Sequence, residues 1–162
     1  PFAAHEGKIY PLPLMEKVIQ EIIHTYPQCR IFLFGGGEKK TEVMNRWTET
    51  WPEVCNASAQ LKGLQQELIL MSHLQVMVSM DSANMHLASL VDTPVVSIWG
   101  ATHPYAGFMG WNQNPANVVQ TDLPCRPCSI YGNKPCMRGD LACMNQINPE
   151  DVIKHIVGVI NK

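Results

Sequence analysis

The segment Val76-Met77-Val78-Ser79-Met80-Asp81-Ser82-Ala83-Asn84-Met85-His86-Leu87-Ala88-Ser89-Leu90 changes its periodicity at Asp81. Residues 76–80 are mostly apolar and β-tolerant, as a buried strand requires, whereas the apolar residues after Ser82 recur at helical spacing. Asp81 and Ser82 stand at the change, and both are favoured N-cap types. The segment therefore predicts a strand that turns directly into a helix. A helix start exposes unpaired N–H groups and the positive end of the peptide dipoles, so this turn is a candidate anion site, with phosphate the natural ligand. Ser82, His86 and Ser89 are four and three residues apart, which predicts one polar stripe along which His86 reaches whatever the turn holds. A capped helix after a buried strand also occurs in α/β proteins that bind nothing there, so the turn alone defines no function.

Working outward, residues 93–100 read as a second buried strand with Pro94 at its start, and it empties into the polar loop Ala101-Thr102-His103-Pro104-Tyr105. Residues 117–120 read as a last short strand, residues 121–147 as a cysteine-rich loop, and 149–161 as an amphipathic helix capped by Asn148. Upstream, residues 1–4 read as the end of a strand, followed by the loop His5-Glu6-Gly7-Lys8 and two prolines that delay a helix to residues 14–25. Arg30-Ile31-Phe32-Leu33-Phe34 reads as a fully buried parallel strand ending in Gly35-Gly36-Gly37-Glu38, with a helix over 39–49. The triple glycine matches neither the dinucleotide fingerprint nor the P-loop, and serves equally as a tight turn. A short strand at Val54, a loop over 56–62 and a helix over 63–72 complete the series. Strand and helix alternate throughout, the pattern of a doubly wound parallel sheet in a three-layer αβα domain. Ligands of such sheets sit beyond the carboxyl ends of the strands, where four polar loops fall: 5–8, 35–38, 81–86 and 102–105.

The chain has 162 residues, 46% of them hydrophobic, the size and composition of one domain with a real core. A net charge of -2 with 16% charged residues argues against a nucleic-acid surface. No apolar run approaches the roughly 20 residues that span a bilayer, and the first residues lack the basic flank and apolar core of a signal peptide. These features predict a soluble intracellular domain. The first residue is Pro1 and structure is expected almost at once, so an N-terminal portion is expected to be missing.

The run Met80-Asp81-Ser82-Ala83-Asn84-Met85-His86-Leu87-Ala88, followed by Thr93-Pro94-Val95-Val96-Ser97-Ile98-Trp99-Gly100-Ala101-Thr102-His103-Pro104, resembles the family-9 glycosyltransferases, the ADP-heptose:lipopolysaccharide heptosyltransferases. Their pattern is Asp-Ser/Thr-Gly-x-x-His-Leu-Ala, then Pro-x-Val-x-aromatic-Gly-x-Thr-x-Pro. The likeness extends to Pro1-Phe2-Ala3 with Lys8, to residues 35–38, and to the cysteines and the helix start at Pro149. It implies the C-terminal half of a GT-B fold: a single nucleotide-sugar-binding domain over 1–162, with the acceptor domain and the catalytic base on the missing N-terminal half. It implies an ADP-sugar donor, a lipopolysaccharide core or other glycan acceptor, direct inversion at the anomeric carbon, no required cofactor, and a cytoplasmic location at the inner face of the membrane. Residue by residue, it implies that Lys8 contacts a donor phosphate, that Gly36 and Glu38 meet the nucleotide with Glu38 on its ribose, and that Ser82, Ala83 and His86 hold the pyrophosphate. Asp81 either faces the sugar or fixes the turn, and with Lys8 makes up the catalytic set of this half. The residue types suit those roles, since lysine is a compact phosphate cation and a carboxylate suits vicinal hydroxyls. The chain departs from the pattern in two ways: Ala83 replaces the usual glycine, and Ala3 and Ala4 stand where hydroxyl residues are usual.

Cys125, Cys128, Cys136 and Cys143 are spaced Cys-x2-Cys-x7-Cys-x6-Cys, which is compatible with a structural zinc, with packed reduced thiols or with one disulfide; no metal is favoured. A hydrolase reading would take Ser82 as nucleophile, His86 or His103 as base and Asp81 or Asp92 as orienter, but the glycines of a nucleophile elbow are missing. A third reading is a non-catalytic nucleotide- or partner-binding module. His5, His24, His73 and His155 share no spacing and are expected at the surface or at helix ends. Trp47, Trp51 and Trp99 are expected in the packing, and Trp111 either packs, lines the sugar or faces the missing domain.

Overall fold

A computed structural model describes residues 2–162. Helix α1 (Leu12–Thr25) starts two residues earlier than the sequence suggests, because Pro13 sits inside the first turn, where its missing N–H costs nothing. Met15, Val18, Ile19 and Ile22 form its buried stripe. Strand β1 (Ile31–Leu33), helix α2 (Glu38–Thr50) and strand β2 (Val54–Asn56) follow. The expected loop over 56–62 contains instead a one-turn helix α3 (Ala57–Gln60), started by the Asn56 side chain accepting from Ala59 N–H at 3.2 Å. Helix α4 (Leu64–Ser72) then leads to strand β3 (Met77–Met80), helix α5 (Ala83–Leu90) and strand β4 (Val95–Trp99). Strand β5 (Val118–Gln120), a second one-turn helix α6 (Ala142–Asn145) inside the expected cysteine loop, and helix α7 (Pro149–Ile160) complete the chain. Asn148 caps α7 through Glu150 N–H at 3.1 Å, as its residue type predicts.

All pairings are parallel. β1 pairs with β2, with Phe32 opposite Cys55, and β3, β4 and β5 pair in that order, with Val78 opposite Val96 and Ile98 opposite Val119. β4 is central and buried at all five positions, which explains its unbroken apolar run. Its side chains alternate between two apolar layers. Val96 and Ile98 pack with α1 and α7, whereas Val95 and Trp99 pack with Met71 of α4 and Met85 and Ala88 of α5. Among the described residues β1–β2 and β3–β5 are two parallel sheets, and helices cover both faces as in a doubly wound αβα fold.

Two expectations are corrected. β1 is only half-buried at each of its three positions, because its second edge has no strand against it among the described residues. The expected strand end at residues 1–4 lies partly outside the described residues, and Phe2, Ala3 and Ala4 are irregular. Phe2 stacks on Trp47 with ring centroids 6.4 Å apart, and Ala3 is buried. Among the described residues no helix is long and apolar enough to cross a membrane.

Candidate functional site

The loop between Phe2 and α1 coils into a single 3-10 turn over Glu6–Lys8. Gly7 lies against the loop that leaves β4: its carbonyl accepts Ala101 N–H at 2.8 Å, and a Cβ at Gly7 would lie 2.6 Å from Ala101 Cβ. This close approach delivers Lys8 to the carboxyl end of β3. Its Nζ lies 3.1 Å from Asp81 Oδ2, and the buried Thr102 hydroxyl donates to the same oxygen at 2.8 Å. The Lys8 and Asp81 side chains are only 14% and 8% exposed, so the pair is shielded but Lys8 retains a face toward solvent. Asp81 Oδ2 thereby joins the 3-10 turn, the β3–α5 turn and the loop after β4. An ammonium has three donors, and one on Asp81 leaves two for an anion.

The stem of Lys8 packs beneath Gly132, whose φ of +69° already favours glycine. A Cβ there would lie 2.9 Å from Lys8 Cγ and 3.1 Å from Thr102 Cγ2.

α5 begins directly beyond Asp81. Ser82 occupies its N-cap in extended backbone, yet its side chain makes no cap bond and lies 3.1 Å from Ser79 Oγ. Met85 N–H donates to Ser82 O at 3.1 Å, whereas the Ala83 and Asn84 N–H groups are not closed by a capping side chain. Ala83 is exposed and does not have positive φ, so the methyl that replaces the family's usual glycine introduces no backbone strain. His86 is exposed one turn in. Ser89 departs from the expected stripe: it is buried and donates to Met85 O at 2.7 Å, so it belongs to the packed face.

The glycine run comes to the same edge. Asn84 Nδ2 donates to Phe34 O at 3.4 Å, joining the end of β1 to the start of α5. Gly35 N–H is held by Ser58 Oγ at 3.0 Å, while Gly36, Gly37 and Glu38 are exposed. Gly37 has φ +98°, a conformation other residues rarely adopt, and it lets α2 start at Glu38. Glu38 is acidic in the first turn, which suits the helix dipole and leaves its carboxylate free toward a ligand.

Arg126, quoted in the sequence only as a spacer between cysteines, is a principal organiser of this edge. Its guanidinium donates to Trp99 O at 3.2 Å, Thr102 O at 2.9 Å and Gln120 Oε1 at 3.0 Å, and also to the carbonyls of Gly100 and Thr121. Burial pushes its pKa below the usual guanidinium value. Five donors in a rigid fork can hold a curved row of carbonyls in this way, and that row is the loop that carries Thr102. No sequence signal marks a residue whose partners are backbone oxygens.

The cysteines do not form the candidate zinc set. All six are free thiols, and among the described residues no group of three or more His, Cys, Asp or Glu side chains comes together to hold a metal. Cys128, Cys136 and Cys143 border a cavity of about 230 Å³ beside His5 and Gly7. Burial raises the Cys128 and Cys143 thiols above their ordinary pKa, whereas backbone N–H groups, led by that of Leu141, lower that of Cys136.

The hydrolase arrangement is likewise not assembled. Ser82 faces Ser79, Asp81 is taken by Lys8 and Thr102, and His103 Nδ1 accepts Tyr105 N–H at 3.2 Å. His24 and His73 are exposed, while His5 and His155 are half-buried. Trp47 and Trp99 are buried, and Trp51 is half-buried against Trp47. Trp111 is 79% exposed and does not pack.

A parallel αβα domain thus brings an uncapped helix start, a fixed lysine and a glycine loop to one sheet edge, where ligands of such sheets sit. The model of glycosyltransferase family 9 (heptosyltransferase) matches residues 1–135, and the chain belongs to this family. Lipooligosaccharide heptosyltransferase 2 of Campylobacter jejuni is 28% identical over 133 residues, covering 78% of this chain and 40% of the relative. Lipopolysaccharide heptosyltransferase 1 of Campylobacter coli is 27% identical over 154 residues, covering 94% and 43%. The chain thus spans less than half the length of the curated relatives it matches. The fold is that of E. coli ADP-heptose lipopolysaccharide heptosyltransferase II, with a TM-score of 0.74 at 18% identity over 99% of this chain and 45% of that one. An E. coli heptosyltransferase solved with ADP matches with a TM-score of 0.68 at 19% identity, over 98% and 42%.

Proposed function

We propose that this chain is the donor-binding half of an inverting glycosyltransferase that moves heptose or a related sugar from an ADP-sugar to a lipopolysaccharide-type acceptor. The observation that carries this reading is the Lys8 ammonium, fixed on Asp81 beside the uncapped start of α5. Family membership and the ADP in the E. coli relative support the donor class.

In this reading the diphosphate lies across the start of α5, receiving the first-turn N–H groups, the Ser82 hydroxyl and Lys8. Gly36 allows the nucleotide close to the backbone, Ala83 flanks the diphosphate, and Glu38 takes the ribose hydroxyls. An acceptor hydroxyl attacks the anomeric carbon from the face opposite the diphosphate. The carbon–oxygen bond to the diphosphate breaks, ADP departs with the electron pair, and the acceptor proton passes to a base on the other half of the protein. Negative charge develops on the leaving diphosphate, and donors fixed before the reaction stabilise it without reorganising. Lys8 and α5 provide that field, with His86 in reach of the outer phosphate. The reaction requires no metal. In this reading the whole protein works at the cytoplasmic face of the inner membrane, where an ADP-sugar donor can meet a lipid-linked acceptor.

The test is release of ADP from ADP-heptose by the full-length protein in the presence of a heptose-accepting lipopolysaccharide core. Acceptor-dependent release is expected from the full-length protein and negligible release from the 162-residue chain. Absence of turnover by the full-length protein, with ADP still bound, would favour a non-catalytic nucleotide-binding module.

A further inference from the structure

The start of α5 has two different flanks. On one, Asn84 Nδ2 donates to Phe34 O at 3.4 Å, which places Gly36, Gly37 and Glu38 on that side. On the other, Lys8 and Thr102 meet on Asp81 Oδ2, which places the loop after β4 there. A donor whose ribose lies on Glu38 and whose diphosphate crosses α5 therefore directs its sugar toward Thr102. This orientation rests on the donor reading proposed above.

The turn over residues 129–133 closes on that second flank and carries Tyr131. Cys128 N–H donates to Ala101 O at 2.8 Å and the Ser129 hydroxyl donates to Asn133 Oδ1 at 3.2 Å, so the turn is pinned where it begins and across its mouth. Beside the tyrosine, Gly132 lies so close to the Lys8 stem and to Thr102 that a side chain would not fit. The Tyr131 ring stands 5.7 Å from that of Phe108, tilted by 52°, a favourable aromatic geometry. Phe108 is itself held: it packs on the layer that contains Met85 and Trp99, and two residues further on a Cβ at Gly110 would clash with Ser89 Oγ of α5. Tyr131 thus stands between the Lys8 stem and the α5 layer, yet it is 61% exposed. A single exposed aromatic is ordinary, but this ring is supported from two elements beside a fixed cation and leaves a face to solvent. Tyr105, at 94% exposure, rests instead on His103 of its own loop.

We infer that Tyr131 is a specificity-determining contact for the donor sugar: its exposed ring face stacks on the C–H face of the pyranose ring, and its hydroxyl meets a sugar hydroxyl. A pyranose presents one face of weakly positive C–H groups and a rim of hydroxyls. The negative face of an aromatic ring complements the first, and a phenolic O–H complements the second. An apolar wall with a few placed polar groups is the usual way a site fixes the orientation of a small ligand. Here Tyr131 supplies the wall, while Lys8 and the start of α5 hold the diphosphate. The nucleoside, lying on the Glu38 flank, does not touch Tyr131, so sugar and nucleotide are recognised by separate residues.

Titration of the 162-residue chain and its Tyr131 variants with ADP and with ADP-heptose, by calorimetry and by proton NMR of the sugar, tests this. Tyr131→Ala is expected to bind ADP within about twofold of the parent chain but ADP-heptose about three- to tenfold more weakly. The sugar C–H resonances that the ring current moves upfield in the parent complex are expected to return to their free positions in this variant. Tyr131→Phe is expected to keep the upfield shifts and most of the affinity. Unchanged ADP-heptose affinity and shifts in Tyr131→Ala would overturn the inference and leave the donor site standing. Equal losses for ADP and ADP-heptose would also overturn it, by making Tyr131 a support of the Lys8 loop rather than a sugar contact. Binding of neither ligand to the parent chain would overturn the donor reading itself, and this inference with it.

Discussion

Lys8 Nζ and Thr102 Oγ1 converge on a single oxygen of Asp81, at 3.1 and 2.8 Å. The three residues come from three of the four polar loops at one sheet edge, so the carboxylate joins elements that are far apart in sequence. Replacing Asp81 by Asn keeps an oxygen for Thr102 but removes the counter-charge of a mostly buried ammonium. Stability is expected to fall by ~1–3 kcal/mol in urea unfolding, with the Lys8 ammonium swinging toward solvent. An unchanged midpoint would show that the pair is not structural.

Gly132 sets the channel in which the Lys8 stem lies. Gly132→Ala places a methyl 2.9 Å from Lys8 Cγ and strains a backbone at φ +69°. The expected result is a loss of ~1–3 kcal/mol in stability together with several-fold weaker ADP binding, because the ammonium is displaced. Circular-dichroism melts and nucleotide titration on the same preparation separate the two effects.

Arg126→Met removes the donors that the guanidinium gives to four backbone carbonyls, those of Trp99, Gly100, Thr102 and Thr121, and to Gln120 Oε1. Destabilisation of ~3 kcal/mol or more is expected. Arg126→Lys is expected to recover little of it, since a point ammonium cannot reach the Nε partner Gly100 O and the Nη1 partner Thr121 O together with the Nη2 partners Trp99 O and Thr102 O. Full recovery by lysine in thermal melts would contradict this role.

Tyr10 is fully buried, donates its hydroxyl to Ile147 O at 3.0 Å, and has its pKa pushed up to about 12 by burial and then by Asp151. Its folded pKa is raised above the ordinary value of 10.0, so the folded state keeps the proton longer than the unfolded chain. This contribution is complete below about pH 10 and is lost as pH rises toward 12, amounting to on the order of 2 kcal/mol. Urea unfolding between pH 8 and pH 11.5 is expected to show a loss that Tyr10→Phe lacks.

The strands and helices were legible where burial dictates composition: β4 is apolar throughout because both faces are covered, and α1 and α7 carry stripes at helical spacing. The site loops were legible because parallel topology gathers them at one edge. β1 was misjudged as fully buried because a strand's own residues do not reveal whether its neighbour is present. The partners of Asp81, Lys8 and Thr102, lie 73 and 21 residues away in sequence, so its neighbouring residues do not show them. Arg126 and Gly132 were not legible, since one bonds mainly carbonyls and the other matters for the space it leaves.

The central claim is that Lys8 and the open start of α5 form a diphosphate site for an adenine nucleotide. Calorimetric titration of the chain and its Lys8→Ala variant with ADP, UDP and GDP tests it most directly. The account predicts saturable ADP binding below ~1 mM, stronger than for UDP or GDP, and weakened about tenfold or more in Lys8→Ala through loss of a charge-assisted contact. No binding of any of the three nucleotides at millimolar concentration, or equal ADP affinity in the variant, would contradict it.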